Sequence, residues 1–377
     1  MKLFHIDAGK EWRGGQRQVL YLTEELVKRR YFVRLITQPD CPLYQEAKKR
    51  NIPVIKVKIR NEFDLFAIVK IAYYLRKEKA TIVHFHDAHS LAVGSVAAHI
   101  AKTPIKVLSR RVDFPLKKHF LSKIKYSKGV DGIIAISNGI KKVLIEEGII
   151  NNKSIEVIHP GTDFSQFEQK FDKNYLRKEL GFSNDDYLVG IVAHLADHKG
   201  HKYLIEASQI IKEKTDKIKI IIVGEGPLKM ELTKKAKELN TRNVVFFLGF
   251  RKDIPQILHS LDLFVLSSYL EGLGSSILDA MACKLPVVAT STGGIPEAVK
   301  NEVTGFLVPP RNPKALAEAI LKLYKNRDWG RKMGEEGYKL VQEKFSIKSM
   351  VDKTISFYNK LAKKKGISLN SEIKDKK

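Results

Sequence analysis

Short apolar runs alternate with amphipathic stretches of helical period along the chain. KLFHIDA is followed by RQVLYLTEELVKR, YFVRLIT by LYQEAKKR, and IPVIKVK by FDLFAIVKIAYYLRKEK. TIVHFHD, HSLAVGSVAAHIAK, IKVLSRR, LKKHFLSKIKYSK, GVDGIIAIS and GIKKVLIEEG continue the series. Strands and helices in strict alternation predict a parallel sheet wrapped by helices on both faces. Sheets of this kind bind ligands at the carboxyl ends of their strands. Three loops fall there: GKEWRGGQ at residues 9–16, HFHDAH at 84–89 and SRRVDFP at 109–115.

The pattern breaks around residues 158–173, where HPGTDFSQFEQKFDK carries a Pro-Gly turn and polar residues and reads as a linker. A second alternation follows, from YLVGIVAHL through IKIIIVGEG, NVVFFLGF, LDLFVLSS and PVVAT to TGFLVPP, with amphipathic stretches between. The expected fold class is α/β, with two doubly wound, Rossmann-like parallel-sheet domains over residues 1–170 and 171–345 facing a cleft. Residues 346–365 are helical by period and are expected to pack back on the first domain. Residues 366–377 form a polar, lysine-rich tail expected to be flexible.

Composition narrows this picture. A chain of 377 residues, 44% hydrophobic, supports two ordinary cores. Its two cysteines, Cys41 and Cys283, lie in unrelated segments, which argues for a reducing, cytoplasmic setting and against a disulfide framework or thiolate metal site. MKLFHIDA reads as a first strand rather than a leader, and no apolar run approaches the roughly 20 residues of a membrane span.

The net charge of +25 is shared, +14 over residues 1–170 and +11 over the rest. It is densest between Lys106 and Lys128, where Arg110, Arg111, Lys117, Lys118, Lys123, Lys125 and Lys128 face the single acid Asp113. A solvated face, a surface for anionic lipid or an anionic acceptor, and a nucleic-acid surface all fit such a cluster. Nucleic acid is the weakest of these, because no aromatic stacking pattern is interleaved with the cations.

The stretch SSYLEGLGSSILDAMACKLPVVATSTGGIPEAV, residues 267–299, carries the most chemistry. It leaves a strand, turns through Gly272 and Gly274 and enters a helix. A helix start offers backbone N–H groups without partners and partial positive charge, and glycines let an anion come close. Two acids, Glu271 and Asp279, flank the turn. Carboxylates beside an anion site suggest sugar hydroxyls, since an ionised carboxylate only accepts hydrogen bonds. Ser276 and Asp279 also have capping-box spacing. In the first half, His84, His86 and His89 with Asp87 invite a metal reading. Strand alternation sets His84 and His86 on one face and leaves His89 on the following helix, so no metal site is expected.

GGQRQV, IVAHLADHKGHKYLIEA, IIVGEGPLKMEL, VVFFLGF, YLEGLGSSILDAMACKLPVVAT, TGGIPEAV and TGFLVPP occur in an order that resembles the family-4 retaining glycosyltransferases of the GT-B fold. The resemblance implies transfer of a sugar from a nucleoside-diphosphate sugar to a hydroxyl acceptor, with retention, no metal and no cofactor. It implies a saccharide or lipid-linked acceptor in cell-surface polysaccharide, lipopolysaccharide or glycolipid synthesis, with peripheral attachment to an anionic membrane surface as an expectation. A non-catalytic nucleotide-sugar-binding or scaffold protein, and a hydrolase, epimerase or phosphorylase of the same fold, are the alternatives.

By the same resemblance, Glu271 bonds the donor sugar, Lys199 neutralises the leaving pyrophosphate and His86 sits near the reacting sugar. The nucleotide sugar is further expected to meet Gly15, Gln16, His194, Gly224, Arg251, Gly272, Leu273, Gly274, Ser275 and Asp279. Arg110 and Arg111 are assigned to an anionic acceptor. Two positions depart from the family pattern: His194 stands where an arginine is usual, and Asp279 where a second glutamate is usual.

Overall fold

The computed structural model describes residues 1–111, 126, 129–146 and 154–368. The chain divides into two compact units, one built from Met1–Gly161 together with the segment that starts at Ile347, the other from Thr162–Ser346. Each holds one parallel sheet.

In the first unit the strands are β1 (Lys2–Asp7), β2 (Phe32–Thr37), β3 (Val54–Lys56), β4 (Ile82–Phe85), β5 (Ile105–Arg110), β6 (Gly132–Ala135) and β7 (Ser154–Val157). Their spatial order is β3-β2-β1-β4-β5-β6-β7, so the direction of winding reverses between β1 and β4. Strand alternation sends Phe4, Ile6, Val83, Phe85 and Leu108 to one face, under the helices Leu65–Lys77, Ala88–Ile100 and Asn138–Glu146. Leu3, Val33, Ile82, Ile105 and Val107 go to the other face. There they meet Tyr21, Leu22 and Leu26 of the helix Gly14–Lys28, and Val351, Phe357, Tyr358 and Leu361 of the helix Ile347–Lys364. The C-terminal helix is therefore part of the first unit's core. Arg29 ties the two helices by an ion pair to Asp352.

The crossing between units lies inside the segment read as a linker. Gln18 holds the backbone of Gly161 from both sides, donating to its carbonyl and accepting from its N–H at 2.8 Å each. One residue later Thr162 bonds Phe345 at 2.7 Å, where the second unit ends.

The second unit carries β8 (Tyr187–Val192), β9 (Ile218–Val223), β10 (Val245–Gly249), β11 (Leu263–Leu266), β12 (Val287–Thr290) and β13 (Gly305–Val308), in the order β10-β9-β8-β11-β12-β13. Here the reversal falls between β8 and β11. Beside such a reversal the loops leaving two neighbouring strands run to opposite faces of the sheet and open a crevice at their carboxyl ends.

Candidate functional site

In the second unit, the loop after β8 and the loop after β11 flank the reversal, and they bring Lys199 and Glu271 together. The Lys199 Nζ lies 2.5 Å from Glu271 Oε2, with side chains 20% and 12% exposed. Ser268 Oγ donates to the same carboxylate oxygen at 3.2 Å. The two loops are laced by backbone: Tyr269 N–H donates to the His198 carbonyl at 2.9 Å, and Ser267 Oγ to the Lys199 carbonyl at 3.2 Å. Tyr269 OH also donates to Asp197.

Gly200 permits this approach. Its φ is +67°, and a methyl group there would stand 2.1 Å from the Ser267 carbonyl oxygen, so only glycine fits. Gly224 does the same for the loops after β8 and β9, with φ +140° and a Cβ position 2.0 Å from the Ala193 carbonyl oxygen. Its observed role is close backbone packing. His201, buried behind the Lys199 loop, has neither ring nitrogen hydrogen-bonded. Burial, with Lys199 nearby, pushes its pKa down to about 3.

Gly272, Leu273 and Gly274 are buried in the turn, and Ser275 opens the helix Ser275–Ala282 with Gly274 as N-cap. No side chain caps this helix, and the capping-box reading of Ser276 and Asp279 fails because the N-cap is Gly274, two residues before Ser276. Asp279 is only 5% exposed. His194 is half-buried on the loop after β8.

Arg251 differs from its expected use. Its guanidinium bonds Asp253 through Nε at 2.9 Å and Nη2 at 2.6 Å, Glu179 through Nη1 at 2.5 Å, and the Tyr175 hydroxyl through Nη2 at 2.9 Å. These bonds hold the Asp253 carboxyl down at about 2 and raise the guanidinium pKa further. The side chain is a clamp between the helices Tyr175–Leu180 and Ile254–Ser260, with its donors spent on the protein.

In the first unit, one face of three neighbouring strands turns polar toward the carboxyl ends. Along that face the residues are Leu3, His5 and Asp7 on β1, Ile82, His84 and His86 on β4, and Val107, Ser109 and Arg111 on β5 and beyond it. Register explains the grouping: His5 lies opposite His84 across the ladder, and His86 is two residues on.

Hydrogen bonds then fix the tautomers. Arg111 donates from Nη2 to His86 Nδ1 at 3.2 Å, so His86 carries its proton on Nε2 and donates to His5 Nδ1 at 3.0 Å. The His5 proton must then sit on Nε2, a buried atom with no partner. His84 bonds Tyr358 OH at 2.6 Å and Ser109 Oγ at 2.8 Å. Burial depresses all three imidazoles, His5 to about 3, and the neighbouring histidines and Arg111 lower His84 and His86 further.

The three histidines form a cluster with ligand-like spacing, with His5 in the place the sequence suggested for His89. Both ring nitrogens of His84 and His86 are taken, and a guanidinium lies against His86, so this arrangement is a hydrogen-bonded relay rather than an open ligand set. His86 is 4% exposed with both nitrogens used, so it presents no free nitrogen to a sugar.

Asp7 accepts from the Gly9 N–H at 2.9 Å and from Gln16 Nε2 at 3.2 Å. Burial and the nearby Asp87 charge push its pKa up to about 6. Asp87 caps the helix Ala88–Ile100 through the N–H groups of His89 and Ser90, and its other oxygen accepts from the Ala8 N–H at 2.7 Å. Arg111 is lowered to about 10 by burial and sustained by Asp7 and Asp87. Its Cδ lies 3.5 Å from the Cβ position of Gly15, at the uncapped start of the helix Gly14–Lys28.

Arg110 instead bonds the Tyr126 hydroxyl at 3.1 Å, so the two arginines have different partners. Asp113, Lys117, Lys118, Lys123, Lys125 and Lys128 lie outside the described residues, as does the tail from residue 369. Gly9, Gln16, Gln38, Asn61 and His89 line a cavity of about 360 Å³ in this unit. Sequence reasoning missed Asp7, His5 and Ser268; the strand-end position of Asp7 in HIDAG was the one signal available for it.

Comparison with known proteins identifies the family and the fold. The family description Glycosyltransferase Family 4 matches residues 12–166 and Glycosyl transferases group 1 matches residues 172–340, so that together they span both units. The chain is 28% identical over 340 residues to an Escherichia coli UDP-Gal:alpha-D-GlcNAc-diphosphoundecaprenol alpha-1,3-galactosyltransferase, covering 86% of this chain and 88% of that one. It is 28% identical over 312 residues to the capsular polysaccharide biosynthesis glycosyltransferase CapM of Staphylococcus aureus, covering 80% and 82%. The crystal structure of Anabaena HepE in complex with UDP-glucose shares the fold, with a TM-score of 0.85 at 23% identity, over 96% of this chain and all of that one. With consecutive family matches over both units and a GT-B relative along nearly its whole length, the chain belongs to the family-4 glycosyltransferases of the GT-B fold.

Proposed function

We propose that this glycosyltransferase moves a sugar from a nucleoside-diphosphate sugar to a hydroxyl of a saccharide or lipid-linked acceptor, with retention and without a metal ion or cofactor. The observation that carries the reading is the Lys199–Glu271 pair at the winding reversal of the second unit, beside an uncapped helix start. As the bond from the anomeric carbon to the diphosphate oxygen breaks, negative charge gathers on the phosphate and positive charge on the sugar ring. Lys199 and the N–H groups at Ser275 meet the first, and the Glu271 carboxylate meets the second. A fixed charge placed where charge develops lowers the barrier without reorganisation. The acceptor oxygen then bonds the anomeric carbon on the face the phosphate leaves, and its proton passes to the departing phosphate. No settled protein nucleophile takes part.

In this proposal Gly272, Leu273 and Gly274 shape the diphosphate seat, and His194 lines it. Asp279 acts on the nucleotide ribose through its small exposed edge. Gly15 and Gln16 are kept as candidate nucleotide-sugar contacts. Arg110 remains the candidate for an anionic acceptor. His86 and Arg111 are positioning residues that hold the strand ends, and Arg251 braces the nucleotide unit. UDP-sugars are the first donors to try, because a structural relative is bound to UDP-glucose.

A thermal-shift screen against UDP-, GDP- and ADP-sugars tests the donor class, since a ligand at 100 times its dissociation constant adds about 2.7 kcal/mol. Product anomers read by NMR then test retention, and turnover in excess chelator tests metal independence. An inverted product, or loss of turnover on chelation that added divalent ion restores, would overturn those parts.

A further inference from the structure

Asp7 ends β1 and is 1% exposed, whereas Gln16, on the first turn of the helix Gly14–Lys28, lines the cavity of about 360 Å³ in the first unit. Both carboxylate oxygens of Asp7 lie 3.2 Å from Gln16 Nε2, and Oδ1 also accepts from the Gly9 N–H at 2.9 Å. The charged groups around this carboxyl are Asp87, at the start of Ala88–Ile100, and Arg111, beyond β5. His5 and His86 on the same face of the sheet are held neutral by burial.

Burial and Asp87 raise Asp7 to about 6, so at pH 8 it is ionised. An ionised carboxylate only accepts hydrogen bonds, and this decides which end of the Gln16 amide faces it. The NH2 group is turned inward to Asp7, and the acceptor atom Oε1 has no partner among the described residues. Gly9 completes the arrangement. A methyl group there would stand 2.4 Å from Gln16 Nε2 and 2.9 Å from Asp7 Oδ1, so any side chain would push the amide aside. On the same cavity wall the Gln38 amide is spent on the protein, donating to the carbonyls of Ala8 and Ile59 and accepting from the Ile59 N–H. Gln16 thus offers this cavity an acceptor, which suits a hydroxyl and repels a phosphate oxygen.

We infer that Asp7 is a positioning residue that holds the Gln16 amide with its oxygen toward the cavity, where it accepts from a sugar hydroxyl. The inference rests on the reading of Gln16 as a nucleotide-sugar contact and adds the chemical group it recognises. Polarity, and not shape alone, then matters at both positions. In Asp7→Asn, Oδ1 can still accept from Gly9, while the new amino group faces Gln16, whose amide must turn over to accept from it. Its NH2 then faces the cavity, and a hydroxyl there must reverse and give up what it already accepts. In D7N/Q16E one oxygen of the new carboxylate accepts from the new amino group and the other faces the cavity, which restores the original polarity.

The test is isothermal titration of the full chain at pH 8 with UDP and with UDP-glucose, together with melting temperatures without ligand. D7N, Q16A and G9A should each weaken UDP-glucose by about threefold to tenfold, the worth of one hydrogen bond, with UDP affinity changed less than about twofold. Q16E alone sets two carboxylates together beside Asp87, so it should weaken UDP-glucose at least about tenfold and melt about 3 °C lower than wild type. D7N/Q16E should melt like D7N and bind UDP-glucose within about threefold of wild type. Losses in D7N and Q16E that multiply in the double variant would overturn the proposal. So would a fall in UDP affinity equal to that for UDP-glucose, which would put Gln16 on a phosphate. A wild-type chain that binds neither compound would count against the donor reading. The melting temperatures would still decide the pair, since an equal cost of Q16E with and without D7N would show that Asp7 does not set the Gln16 amide.

Discussion

Lys199 and Glu271 neutralise each other at 2.5 Å in the second unit, and this makes opposite predictions for their removal. Two unit charges at that separation attract by about 1.7 kcal/mol at the dielectric constant of water and about 6.6 kcal/mol at an effective value near 20. Desolvation of two largely buried groups offsets most of this, leaving a net of about 1–3 kcal/mol. A diphosphate arriving at Lys199 must compete for its ammonium with Glu271. Replacing Glu271 by Gln removes the competing charge while Ser268 still has an oxygen to donate to. UDP affinity in Glu271→Gln should therefore be unchanged or up to about fivefold tighter, while turnover falls by about 10²–10³, the usual loss for one preorganised electrostatic contact. Lys199→Ala removes the cation and leaves the carboxylate near the phosphates, so UDP affinity should weaken by at least about tenfold along with turnover. Isothermal titration with UDP and a donor-consumption assay separate the two. Equal loss of UDP affinity in both variants, or wild-type turnover in Glu271→Gln, would refute the reasoning.

Two further predictions follow from the buried charges. Because His5, His84 and His86 are held neutral in the fold but protonate near pH 6.5 when unfolded, the first unit keeps its full stability above that pH and loses it on acidification, by about 1.4 kcal/mol per pH unit for each histidine. Asp7 acts in the opposite sense: its folded pKa of about 6 exceeds the unfolded 3.8, so between those values it lets stability rise as pH falls, leaving a net slope of about 3 kcal/mol per unit. Urea unfolding at several pH values from about 7.5 to 5 reads the slope; Asp7→Asn should steepen it below about pH 6, and a flat wild-type profile would contradict the assignment. Arg251→Ala should lower the unfolding free energy of the second unit by about 1–3 kcal/mol with less than about a threefold change in nucleotide affinity. Unaltered stability with a large loss of affinity would return Arg251 to the base.

The alternation of strands and helices was legible because buried parallel strands read as apolar runs of fixed length, as in IKIIIV and LFVL. The glycine turn before Ser275 was legible too, because turns and helix starts are written in local residue types, whereas Lys199 of DHKG was singled out by the family resemblance. The helix Ile347–Lys364 illustrates the limit. Its period was plain, but only the burial of Phe357 and Tyr358 against β-strand side chains makes it part of the first unit's core.

Side-chain partners were the part local pattern could not supply. Arg251 sits at a strand end, where a ligand contact was a fair expectation, yet Glu179, 72 residues earlier in the chain, takes its guanidinium. The sequence placed His84 and His86 on one face, but the third member, His5, comes from 81 residues before His86 through a register that only strand pairing sets. By itself the sequence determined the order of elements, the two sheets and the loops at the strand ends, because each follows from short-range periodicity and turn chemistry. Which charges pair and which imidazoles stay neutral were decided only by the tertiary structure, because burial and Coulomb interactions depend on distances in space between residues far apart in the chain.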